Sequence, residues 1–160
     1  LAMMAKAQGM HLQHVKPHGA LYVRAGQDPL IAEAVARAVA AVDRSLMLFG
    51  LSGSALISAG QNFALTTVAE VFADRAYESD GSLVSRKKPG AVIQDPDQVV
   101  KQALNLVKER FTVVVDGSVM QLDSDTICLH GDTPGAVNLA AMLRHAFADA
   151  DVEVLALGKR

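Results

Sequence analysis

The side chains of this chain that could do chemistry gather in three places. The run His14-Val15-Lys16-Pro17-His18-Gly19-Ala20-Leu21-Tyr22 brings together two imidazoles, an amine and a phenol, a set able to hold an anion and move protons. Glu70 and Asp74, with Arg75 beside them, form a second group, and His130-Gly131-Asp132 a third. A lone histidine at a strand end is more often a hydrogen-bonded part of the scaffold. Several polar groups converging within a few residues favour one wall of an active site.

The elements that must position these groups read as alternating strands and helices. Leu12 to Lys16 alternates with period two, so His14 and Lys16 share a face opposite Val15. Pro17 ends that strand and Gly19 permits a tight turn toward Tyr22. Asp28-Pro29 caps and opens a helix to about Asp43, with Leu30, Ala34, Val35, Ala38 and Val42 as its core stripe. Leu46 to Gly50 is an apolar run of the kind buried on both sides in a parallel sheet. Ser52-Gly53-Ser54 leads into a helix that Gly60 is expected to stop.

Thr66 to Asp74 resumes a strand with Glu70 and Asp74 on one face, roughly 13 Å apart if extended. A carboxylate inside a sheet needs a partner, and Lys16 is the expected one for Glu70. Residues 74–92 form a polar segment longer than an ordinary connection, read as a loop ordered over a site. Within it Arg75 and Arg86 suit a carboxylate or phosphate, whereas Lys87 and Lys88 read as solvated surface. Asp95-Pro96 opens another helix to about Arg110, followed by a hairpin of Phe111–Val115 and Ser118–Leu122 turning at Asp116-Gly117. Thr126 to Leu129 is a buried strand that delivers His130 and Asp132 at its carboxyl end. Thr133 and Pro134 are expected to cap and begin a helix to about Asp149 whose free amides could meet an anion, and Val152 to Leu157 to form a last strand. Leu1 to Gly9 reads as the last turns of a helix, as if the chain begins inside an element. His11 and His145 carry no assigned chemistry.

The totals narrow the function class. A chain of 160 residues with 51% hydrophobic residues can bury one domain's core, and with 4% aromatics and no Trp that core must be aliphatic. A net charge of -2 argues against nucleic acid or an anionic membrane as a partner. One cysteine, Cys128, forms no internal disulfide and sits in an apolar run. No apolar stretch approaches the roughly 20 residues of a membrane span. A cytoplasmic location is expected.

Three motifs go further. The His14–Tyr22 run, Glu70-Val-Phe-Ala-Asp-Arg-Ala-Tyr77 with Asp80–Arg86 and Pro89–Ile93, and Cys128-Leu-His-Gly-Asp-Thr-Pro-Gly-Ala136 closely resemble the LamB/YcsF family, to which the A subunit of bacterial ATP-dependent 5-oxoprolinase belongs. The resemblance implies an α/β fold, a (β/α) barrel of irregular strand count similar to the sugar deacetylases, here as a single domain lacking the family's amino-terminal part. It implies opening of the 5-oxoproline lactam to glutamate, coupled to hydrolysis of ATP with Mg2+ in an assembly with subunits B and C, and no tightly bound cofactor. Homo-oligomerisation stays open. On this reading His14, Lys16, His18, Asp74, His130 and Asp132 are catalytic, and Tyr22, Glu70, Arg75 and Arg86 bind substrate, all facing one pocket. Two alternatives stand beside it: a metal-dependent amidase or deacetylase with His14, His18, His130 and Asp132 as ligands, and a non-catalytic remnant or binding subunit.

Overall fold

The computed structural model describes residues 1–132 and 135–157. The chain divides into two compact units, Leu1–Glu70 and Val71–Arg160. The first begins with a short exposed helix, α1 (Ala2–Ala7), closed by Gly9 at φ +68°. Strands β1 (His14–Val15), β2 (Met47–Leu51) and the start of β3 (Thr67–Phe72) then lie side by side, all parallel, with Val15 opposite Leu48 and Leu51 opposite Glu70. Helices α2 (Gly19–Gln27), α3 (Pro29–Val42) and α4 (Ala55–Asn62) pack on one another, and β2 lies against α4. Their core is aliphatic, built from Ala25, Ala32, Ala36, Val39, Leu48, Leu56 and Leu65.

Two expectations for this unit are corrected. Helix α3 starts as read, with Asp28 accepting from the Leu30 amide at 2.9 Å, but buries Ala32, Ala36, Val39 and Ala40. Leu30 and Val42, expected in the core, are 78% and 73% exposed. The helix is apolar nearly all round, so small alanines could pass for either face; Glu33 and Arg37, four apart, mark the side that meets water. Gly60 does not stop α4, which runs to Asn62. Gly60 is instead a contact point, since a Cβ there would stand 2.5 Å from Thr67 Cγ2.

In the second unit the end of β3 continues into Ala73, whose N–H donates to the Cys128 carbonyl of β6 (Thr126–Cys128) at 3.0 Å. Helices α5 (Pro96–Leu104) and α6 (Ala136–Asp149) pack together over Ala73, Val99, Ala103, Leu139, Leu143 and Phe147. Helix α5 starts at its Asp95 cap as expected, then widens into a π-helical turn over Asn105–Glu109 that ends with Arg110 at φ +57° and buries Leu106. The hairpin is present as β4 (Phe111–Val113) and β5 (Val119–Gln121), with Val113 opposite Val119. Residues 152–157 form no strand, against expectation; Val152 packs on the core instead. The cap and helix start read at Thr133 and Pro134 lie outside the described residues. The α/β class and the parallel strands are as expected; among the described residues no strand pairing closes a ring.

Candidate active site

In the first unit the chemistry is organised around Glu70. Its place on β3 leaves the carboxylate buried, with the side chain 4% exposed, and two groups meet it. Lys16, just past β1, brings Nζ to 2.5 Å from Oε1, the partner expected from the sequence. Tyr22 on α2 donates its hydroxyl to Oε2 at 2.8 Å. The Lys16 ammonium also stands 5.7 Å from the Tyr22 ring centre, within cation–π range. Gly19 makes this possible, because its φ of +58° turns the chain from β1 into α2 within a few residues. Glu70 thus fixes a lysine whose side chain remains 20% exposed.

His14 and His18 stand outside this triad. The His14 ring leans on Phe49 at 4.4 Å between centroids, on the face opposite Val15 as period two requires. His18 is exposed at the head of α2, and its side chain makes no cap bond.

In the second unit Asp74 and His130 form a dyad. Asp74 is fully buried, and His130 Nδ1 lies 3.0 and 2.9 Å from its two oxygens. An ionised carboxylate only accepts, so Nδ1 carries a proton and Nε2 is the nitrogen turned away from Asp74. Phe72 stacks on the imidazole at 5.6 Å, and the His130 side chain is 21% exposed. A histidine oriented by a buried carboxylate is the arrangement of a general acid–base group. Asp132 lies apart from the dyad on the surface, with Oδ2 3.7 Å from the Arg86 guanidinium.

Arg75 takes a place the sequence reading did not foresee. It is buried, and its Nε and one terminal nitrogen donate to the carbonyls of Ala91 and Val84. The arginine therefore clamps the 74–92 segment, which is ordered by this and by bridges of Arg75 with Val92 and Tyr77 with Leu83. Burial pulls the guanidinium below its ordinary range, and the like charge of Arg86 adds to that; Asp74 works against it. Two further residues were missed. Gln102 Nε2 lies 3.0, 3.0 and 2.9 Å from the carbonyls of Phe72, Ala73 and Arg75, and the Tyr77 hydroxyl accepts from the Phe72 amide at 2.7 Å. Both hold the backbone that carries Asp74. The only signal for Gln102 was a polar residue next to Ala103 on the inner side of α5.

The family model of the LamB/YcsF family matches residues 1–160. The chain belongs to the LamB/YcsF family. It is 52% identical over 154 residues to the 5-oxoprolinase A subunit of Chloroflexus aggregans, a match covering 96% of this chain and 61% of that relative. It is 50% identical to the 5-oxoprolinase A subunit of Tolumonas auensis over 98% of this chain and 62% of the relative. The crystal structure of the lactam utilization protein from Thermus thermophilus superposes with a TM-score of 0.87 at 39% identity, over 97% of this chain and 62% of that one. This LamB/YcsF chain therefore spans about three fifths of the length of the relatives it matches. Its three sequence motifs are the segments that carry Lys16, Tyr22, Glu70, Asp74 and His130.

Proposed function

We propose that this chain acts as the A subunit of a 5-oxoprolinase, opening the lactam of 5-oxoproline to glutamate with hydrolysis of ATP, in the cytoplasm and in an assembly with subunits B and C. The observation that carries the reading is about 50% identity, along nearly the whole chain, to proteins named as 5-oxoprolinase A subunits. An unstrained lactam is a poor electrophile, and ATP, with Mg2+, would supply the activation as co-substrate of the assembled enzyme. Within the first unit Lys16, oriented by Glu70 and Tyr22, is suited to hold an oxyanion. Within the second, His130, oriented by Asp74, is suited to take a proton from an attacking water at Nε2 and return it to a nitrogen as its C–N bond breaks. Arg86 and Asp132, which face each other on the surface, bind or order substrate there. Arg75, Gln102 and Tyr77 keep Asp74 in place.

The test is reconstitution with the partner subunits, following glutamate and ADP formed from 5-oxoproline and ATP. Turnover that falls at least about 100-fold in Lys16→Ala and in Asp74→Asn supports the reading. Undiminished turnover in both variants rejects these roles. Absence of turnover in a folded, assembled wild-type complex rejects the function. The metal-amidase alternative finds no support in the observed partners. His14 lies on Phe49 and Asp132 faces Arg86; among the described residues no three His, Cys, Asp or Glu side chains are grouped as a ligand set.

A further inference from the structure

The loop Ser52-Gly53-Ser54 joins β2 to α4 and is not used by either cluster described above. Ser54 is the N-cap residue of α4, yet its side chain makes no cap bond. It is 7% exposed, and its Oγ is a buried polar atom with no hydrogen-bond partner among the described residues. An unsatisfied hydroxyl inside a protein is costly and uncommon, so it calls for an explanation. In the first turn of α4 the Ile57 and Ser58 amides donate to the Ser54 carbonyl at 3.1 and 3.3 Å, which leaves those of Ala55 and Leu56 ahead of any intrahelical acceptor, and no acidic side chain stands there to meet them. Gly53, at φ +71° and exposed, has nothing within 4 Å of where a Cβ would stand, so the backbone is open on that side.

The surroundings hold the Lys16–Glu70 ion pair. Leu51 sits opposite Glu70 in the sheet, and the Ser52 N–H donates to the Glu70 carbonyl at 2.9 Å. The loop thus leaves β2 beside the residue whose carboxylate holds Lys16. Gly26, one turn after Tyr22 on α2, faces the Ser54 side chain: a Cβ there would be 3.7 Å from Ser54 Cβ.

We infer that Ser52–Ser54 and the first turn of α4 form an oxyanion cradle, in which the Ser54 hydroxyl and the Ala55 and Leu56 amides bind a carboxylate or phosphoryl group of a ligand. The cradle stands on its own geometry; only the naming of its occupant rests on the proposed function, where the substrate carboxylate is one source and the phosphates of ATP the other.

The experiment follows amide resonances of the chain during titration with 5-oxoproline, with the neutral lactam 2-pyrrolidinone, and with ATP. Shifts at Gly53, Ala55 and Leu56 with 5-oxoproline but not with 2-pyrrolidinone support the cradle and assign it to the carboxylate. Shifts at the same amides with ATP alone support it and assign it to a phosphoryl group. Ser54→Ala weakens that binding about tenfold or more while leaving the melting temperature of the free chain unchanged or raised, since the lost hydroxyl had no partner. A conventional cap would instead lower it. Ser54→Asp, which carries its own carboxylate to the helix end, abolishes binding of the added anion. If neither anion moves these amides while the reconstituted enzyme still turns over 5-oxoproline, the cradle is overturned and the proposed function stands. If an anion moves them but the assembled enzyme shows no turnover, the cradle stands and the function falls.

Discussion

Lys16 and Glu70 show how little of an ion pair's meaning lies in charge alone. A carboxylate buried to this degree needs the ammonium, so Lys16→Ala is expected to destabilise the chain by about 3–5 kcal/mol as well as silence it. Lys16→Met with Glu70→Gln, which removes both charges, recovers most of the melting temperature but none of the turnover. Equal melting temperatures for wild type and Lys16→Ala would show that Glu70 is not held as described. Asp74→Asn is expected to lower turnover about 100-fold to 10,000-fold with little change in KM, because the amide no longer enforces the His130 tautomer. Asp116 offers a check on pH. The hydroxyl of Ser118, then that of Ser79, together with the Ser118 amide, holds its carboxyl down to about 2. Its folded value lies below the ordinary 3.8, so its contribution to stability is complete above about pH 4 and disappears as pH falls through about 2. Thermal melts of wild type and Asp116→Asn should therefore differ at pH 6 and converge near pH 2.

Helix α4 is placed by an absence of side chain. Gly60→Ala improves helix propensity but drives a methyl to 2.5 Å from Thr67 Cγ2 and 3.2 Å from Leu48 Cδ2. We expect a loss of about 1–3 kcal/mol in urea unfolding, largely recovered by adding Thr67→Ser, which removes the obstructing methyl. A neutral Gly60→Ala would mean that α4 rides further from the sheet. The same glycine shows where sequence reading of elements fails. Glycine is read as a stop because it is a poor helix former, yet here close packing outweighs propensity. In α3 an alanine-rich surface hid which face was inner, whereas Asp28 and Asp95, followed by proline, placed two helix starts correctly because a cap is a local interaction.

Taken whole, the chain resembles relatives named as 5-oxoprolinase A subunits, and under the proposed function its activity is expected only in company. The purified chain alone should form no glutamate from 5-oxoproline and ATP, and turnover should appear on mixing with the partner subunits; glutamate formation by the chain alone would assign the entire reaction to it. The family, the α/β class, the order of strands and helices up to α6 and the pairing of Lys16 with Glu70 were legible in the amino-acid order, whereas the strand expected over 152–157 does not form. Motif spacing, period-two alternation and the cost of burying a lone carboxylate are properties that neighbours along the chain express. The Asp74–His130 hydrogen bonds, the diversion of Arg75 into its own loop, the service of Gln102 to three carbonyls and the orphaned Ser54 hydroxyl required the folded molecule. Each depends on which donors and acceptors, far apart in sequence, arrive within hydrogen-bonding distance, and only packing in three dimensions decides that.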